Sequence, residues 1–177
     1  MEVHPTLRNR LAGASFSIAL DHHAGIAILL HNNRIAPAFA LVRILFEAYV
    51  RGRWLADCAS EDKLTEAAAG GKLPFIDEMI SALENGSRVE EHVLSRSKKA
   101  NWHALCGFTH TGGNHLQRFQ TSDGIEANYD PGEISEALDF SDAMALLSAT
   151  GIAGLALQSD LAERLLTKSK DYAKTAA

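Results

Sequence analysis

The run from Pro37 to Asp57, PAFALVRILFEAYVRGRWLAD, constrains the fold of this chain more than any other segment. Phe39, Val42, Phe46 and Tyr49 recur at helical spacing along one seam, and Leu41, Leu45, Ala48, Gly52 and Leu55 along a second. A helix apolar along a single stripe lies on a surface, whereas two seams require neighbours on two sides, which places this helix at the centre of a bundle. Pro37 falls in a first helical turn, where proline is tolerated, so a helix is expected from about there to Asp57. Between the seams runs a polar stripe of Arg43, Glu47, Arg51 and Trp54.

The rest of the chain reads as helices around that one. Thr6 caps a long amphipathic helix to His31, with Leu7, Leu11, Ala14, Ile18, Gly25 and Leu29 on one stripe. Asn32-Asn33 stops it, and so short a connection makes the first two helices antiparallel neighbours. Ser60 starts a short helix that ends at Gly70-Gly71, and another runs from about Pro74 to Asn85-Gly86. Ser87 with Glu90 forms a capping-box pattern for a further short segment through Leu94. Gln120 to Asp130 has no periodicity and reads as a loop. Pro131, Glu133 and Glu136 favour a helix start, and Ser141 precedes a long last helix through Leu165. Its small residues Ala149, Gly151, Ala153, Gly154 and Ala156 would let another helix come close. The expected fold is all-α: one helical-bundle domain over residues 1–177, with long first, second and last helices and short ones between.

Charge and cysteine usage bound the function. A net charge of −5 gives no overall basic footprint for nucleic acid, although a local basic patch is compatible with it. Cys58 and Cys106 stand in no metal-ligand spacing and read as free thiols of a reducing cytoplasm. The apolar runs are broken short of the ~20 residues that span a bilayer, so no membrane partner is expected. Asp21, His22, His23 and His31 lack the spacing of a helical zinc motif, and neither metal nor cofactor is expected.

Chemistry concentrates in NWHALCGFTHTGGNHLQR, Asn101 to Arg118, which carries three of the eight histidines. A helix through Trp102 to Thr109 would put His103, Gly107 and His110 on one face, and a glycine between two histidines suits a close approach to the backbone. Two readings of His110 stand side by side: a proton donor or acceptor in a polar pocket with Thr111, His115 and Arg118, or a structural histidine bonded to another helix. The stripe on the second helix is likewise either a solvated face or an enclosed Arg43–Glu47 pair in need of a further partner. His110 is the expected partner, giving a buried cluster of Arg43, Glu47 and His110. The basic run around Arg96, Lys98 and Lys99 reads first as a solvated face.

ALVRILFEAYVRGRWL (Ala40 to Leu55) and LCGFTHTGGNHLQR (Leu105 to Arg118) are similar to two signatures of bacterial helical families of unknown function. Arg43, Glu47, Arg51 and Trp54 match an Arg/Glu helix, and His110, Gly112, Gly113 and Arg118 a later His-Gly motif. More distantly the chain resembles HEPN domains, which are often dimeric and include metal-independent RNases of toxin–antitoxin and phage-defence systems. Their catalytic Arg and His match only Arg96 and His103 here, with Ser97 in place of the usual polar neighbour. The resemblance implies a homodimer and, as its leading functional expectation, a binding or regulatory module in bacterial defence. Such a module would take a nucleotide-like or other anionic ligand through Arg51, His115 and Arg118. Its rivals are an endoribonuclease using Arg96 and His103, or a histidine pair with His110, and a protein-partner module with a purely structural polar core.

Overall fold

The computed structural model describes residues 5–85 and 92–175, with side chains through residue 170. Among these are eight helices and no strand: α1 Leu7–His31, α2 Ile35–Asp57, α3 Glu61–Ala68, α4 Ile76–Asn85, α5 Val93–Thr109, α6 Gly113–Gln117, α7 Pro131–Leu155 and α8 Ser159–Thr175. The all-α expectation holds. The capping box of Ser87 and Glu90 lies outside the described residues.

Local signals set most boundaries. The Thr6 hydroxyl accepts from the Asn9 N–H at 3.2 Å and caps α1. Asn33 ends α1 in the left-handed region (φ 55°), where asparagine is among the few tolerated residues, and Arg34 N–H closes back on Leu29 O at 2.7 Å. Ser60 caps α3 by accepting from Lys63 N–H, and Gly70 ends that helix at φ 77°.

As its two seams require, α2 is central and packs against α1, α4, α5 and α7. Leu45, Phe46, Val50 and Leu55 fill the main core with Phe16 and Ile26 from α1 and Met79 from α4. Phe16 is clamped: a Cβ built on Gly52 of α2 or on Gly151 of α7 would lie 2.6 Å from its ring. The small residues of α7 therefore admit α1 of the same chain, and Gly151 is occupied by this contact.

The C-terminal half departs from expectation in two places. α7 begins at Pro131, where the Asp130 carboxylate accepts from Gly132 N–H at 2.7 Å, and it runs straight through Ser141. Ser141 is not a cap, because it is fully buried and its hydroxyl donates back to Leu138 O at 2.8 Å. The single last helix is in fact two. Leu157 adopts φ 56° and Gln158 N–H bonds Ala153 O at 2.9 Å, a helix-ending loop built without glycine. The apolar period that continues from Ile152 to Leu165 masks this break.

α1 corrects the expectation about apolar runs. By length and composition it is the one described helix that could cross a membrane, with a mean hydropathy of 1.3 over its best window. In the fold it buries Ala12, Phe16, Ala19 and Ile26 and packs on α2 and α7, with 22% of that window buried.

Candidate functional site

The polar stripe of α2 is a ladder of side chains one helical turn apart. Glu47 accepts from Arg43 Nε at 2.9 Å on one oxygen and from Arg51 Nη2 at 2.6 Å on the other. The ladder is graded in burial: side-chain exposure is 12% at Glu47, 20% at Arg43 and 36% at Arg51. Two guanidiniums against one carboxylate leave one positive charge. The enclosed reading of this stripe is the observed one at its Arg43 end.

Across the groove, α5 supplies the rest. Arg43 Nη1 lies 2.7 Å from His110 Nε2. A guanidinium only donates, so Nε2 accepts and the imidazole is the neutral tautomer with its proton on Nδ1. The same guanidinium stacks over Trp102, 4.6 Å from the ring centroid, and Lys98 Nζ lies 4.3 Å from that ring. Lys98 in turn pairs with Asp77 of α4 at 2.7 Å. Planarity lets Arg43 bond Glu47 and His110 through its edge while its face covers an indole, a combination lysine cannot reproduce.

A strained turn fixes His110. Here α5 ends, with His110 as its C-cap, and Thr111 takes φ 54°, an outlier for a β-branched residue. Gly112 N–H bonds Gly107 O at 2.7 Å, and a Cβ on Gly112 would lie 3.0 Å from Gly107 Cα. The close approach is required at Gly112, whereas a Cβ on Gly107 would meet Asn114 Cβ at an ordinary 3.7 Å. Thr109 adds a hydroxyl bond to Leu105 O at 2.8 Å.

Other expected site residues go elsewhere. His110 joins Arg43 and Glu47, but it is exposed, so the cluster is not a sealed one. Because His110 has left the helix, it does not continue the face of His103. Trp54 is buried in the main core. His115 points inward: Nδ1 donates to Phe108 O at 2.9 Å, and the ring packs among Phe108, Phe119 and Tyr129. Arg118 is held in a bidentate pair by Glu133, with Nε 2.8 Å from Oε2 and Nη2 on Oε1, and this bonding raises its affinity for its proton. Arg51, His115 and Arg118 therefore share no partner and do not form the single anion site expected of them. Thr111 is exposed beside His110, while Arg96 and His103 are exposed on the outer face of α5, two turns apart.

Several contributors carry weak sequence signals. Glu84, at the end of α4, reaches across to the first turn of α5 and accepts from Ser95 N–H at 2.9 Å and from the Ser95 hydroxyl, with His92 at 3.2 Å. Burial pushes its carboxyl up, but these bonds outweigh that and hold it below its ordinary value. Tyr129 is an aromatic residue inside a polar loop, yet it is buried against Phe39 and Phe108, and burial raises its phenol. Its hydroxyl and His115 Nε2 are buried without a hydrogen-bond partner among the described residues.

A cavity of about 250 Å³ lies between α2, α5 and α7, with Phe39, Val42, Leu105, Phe108 and Phe140 among its walls. None of Arg43, Glu47 or His110 lines it. No group of three or more His, Cys, Asp or Glu among the described residues is placed to hold a metal ion, and His23 of α1 instead meets Asp142 of α7 at 2.6 Å. Cys58 and Cys106 are free, and burial raises the Cys58 thiol.

No curated protein and no solved structure matches the chain. Residues 16–176, which include every side chain of the ladder and of the α5 turn, match the family of unknown function DUF6988, and the chain belongs to that family.

Proposed function

We propose that this member of the family is a binding or regulatory module whose ligand is a nucleotide-like or other small anion, held at the Arg43–Glu47–Arg51 ladder beside His110. The observation that carries this reading is the charge left over. Glu47 spends one oxygen on each arginine, and Arg43 spends a further N–H on His110, so both guanidiniums are oriented while the remaining N–H groups of Arg51 stay uncommitted among the described residues. A purely structural ladder would be expected to close its charge. An anion at the exposed Arg51 end would do so, with charge-assisted hydrogen bonds shorter and stronger than neutral ones. His110 supports the same reading, since accepting from Arg43 leaves its Nδ1–H as a further donor. The strain at Thr111 supports it too, because a residue held in a costly conformation fixes its neighbour in advance of a ligand.

His115 and Arg118 have no part in this site, both being committed elsewhere. The relevant experiment is calorimetric titration of the full chain with inorganic phosphate, AMP, ATP and citrate. Saturable binding of at least one is expected, weakened about tenfold or more in Arg51→Ala and in His110→Ala, the loss of roughly one charge-assisted contact. If nothing binds and His110→Ala changes only the melting temperature, the ladder is structural and the protein is a partner-binding module with a polar core.

An endoribonuclease is the second reading, favoured by the solvent exposure of Arg96 and His103 on one face of α5. Seven residues of helix separate them by ~10 Å along the axis, so both would have to reach the same phosphodiester from positions two turns apart. RNA cleavage that survives chelator and disappears in both Arg96→Ala and His103→Ala would replace the binding reading; intact RNA after long incubation removes the nuclease. Bacterial defence, a cytoplasmic location and a homodimer belong to the same proposal. The free cysteines support the location, and light scattering on the purified chain tests the dimer.

A further inference from the structure

We infer that the cavity between α2, α5 and α7 is a second binding site, for a small organic cation that carries an aromatic or aliphatic ring. Its volume of about 250 Å³ suits such a molecule. A dry cavity of ~150 Å³ accepts benzene, so the space here takes a ring with a short side chain.

The floor and the mouth differ in chemistry: the floor takes an apolar ring and disfavours an anion, and the mouth selects a positive head. Phe39 of α2, Phe108 of α5 and Phe140 of α7 supply aromatic rings, with Val42 and Leu105 between them. Aromatic faces are negative and attract cations, while a carboxylate lowered onto such a floor would lose its hydration without compensation. At the mouth stand Asn101, Asn114, Glu136 and the Arg118–Glu133 pair. Arg118 is the one cation lining the cavity, and Glu133 engages it through both Nε and Nη2, which neutralises its charge and takes two of its five N–H donors. Glu136 is exposed and has no ion pair or hydrogen bond among the described residues. The mouth therefore keeps one uncompensated negative charge. An ammonium or similar head would meet Glu136, with the two asparagine amides accepting from its remaining N–H groups and its ring lying on the phenylalanines.

This site stands apart from the arginine ladder. Its walls share no residue with Arg43, Glu47, Arg51 or His110, and its charge preference is the opposite one. Failure of the anion-binding proposal leaves it intact.

Three isosteric probes separate the alternatives: phenethylammonium, 2-phenylethanol and phenylacetate, each titrated into the full chain by calorimetry and by methyl NMR of Ala104 and Ala137, both of which line the cavity. Phenethylammonium should bind saturably and shift both methyl signals, with 2-phenylethanol weaker and phenylacetate weakest. Glu136→Gln should weaken the cation about two- to fivefold and leave the alcohol unchanged, as expected for loss of one exposed ion pair. Because Glu136 is at the surface, that variant should melt with wild type. Phenylacetate binding as tightly as phenethylammonium would overturn the proposal, as would a cation affinity indifferent to Glu136→Gln. So would the absence of methyl shifts with any probe at millimolar concentration.

Discussion

Replacing Glu47 with glutamine preserves volume and one acceptor but removes the charge that two arginines share. The two sides of the ladder differ in what this should cost. Arg43 is 20% exposed and Glu47 12%, so their contact approaches the buried limit, where loss of one partner costs ~3–5 kcal/mol. Arg51 is 36% exposed, and its contact approaches the exposed i,i+4 limit of ~0.3–0.5 kcal/mol. Glutamine still accepts one bond, and the neutral His110 does not replace the lost charge. The expected net loss for Glu47→Gln is about 2–3 kcal/mol, between those limits. In a chain of this size that lowers the melting temperature by ~5–10 °C. Urea denaturation followed by circular dichroism is the direct assay, and the midpoint should fall with an unchanged slope. Arg43→Ala should be costly as well, since it also removes the guanidinium stacked on Trp102, whereas Arg51→Ala should cost under about 1 kcal/mol. A Glu47→Gln variant within ~0.5 kcal/mol of wild type would refute the enclosed ladder. Equal costs for Arg43→Ala and Arg51→Ala would refute its grading, and the stripe would then be a solvated face with no preorganised donors.

Three further outcomes follow from particular contacts. Gly151→Ala gains ~1 kcal/mol of helix propensity but presses a methyl into the clamped Phe16 ring, where overpacking costs ~1–3 kcal/mol or more. A net loss of about 1–2 kcal/mol is expected in thermal melts, largely regained in Phe16→Leu/Gly151→Ala. Thr111→Gly should stabilise by about 0.5–1 kcal/mol, because relief of a left-handed β-branched residue exceeds the entropy cost of glycine, while weakening anion binding at the ladder. For Glu84 the folded carboxyl titrates below its ordinary value of 4.5, so its stabilisation is complete above the unfolded value and is lost as pH falls from there through the folded one. Urea midpoints between pH 3 and 6 should therefore drop less steeply in Glu84→Gln than in wild type; parallel curves would show that Glu84 does not carry the acid limb.

The sequence makes legible whatever a single helix encodes within itself. Two apolar seams were enough to place α2 at the centre, and Thr6, Ser60 and Asn33 announced the boundaries they form. The contact of His110 with Arg43 was also readable, because an enclosed pair on one helix needs a partner and the α5 turn offers one. Boundaries made without the usual residues were not readable. Leu157 ends α7 in a conformation that glycine normally supplies, and the hydrophobic period runs on across it. Side-chain direction was the other blind spot. His115 and Arg118 sit in a motif with His110, yet shifts of five and eight residues along the chain carry them round to the aromatic cage and to Glu133. Tyr129 gave no signal at all, since one aromatic residue in an aperiodic loop has no pattern to join.

What organises the two proposed sites is the way α5 divides its circumference. Lys98 and Trp102, four residues apart, face the arginine ladder; Asn101, Leu105 and Phe108 face the cavity; Arg96 and His103 face solvent. On α2 the partition is as close as consecutive residues, with Val42 lining the cavity and Arg43 holding His110. Both sites therefore span the same pair of helices, and neither can be occupied by a ligand that displaces α5 without changing the distance across the other. Thermodynamic reciprocity then makes coupling measurable from either side. The affinity of inorganic phosphate, or of whichever anion binds, should change by about twofold or more when phenethylammonium saturates the cavity, and the cation's affinity should change by the same factor when the anion is in excess. A factor of one in both directions would mean that the α2–α5 interface is rigid and that the two sites only share a wall.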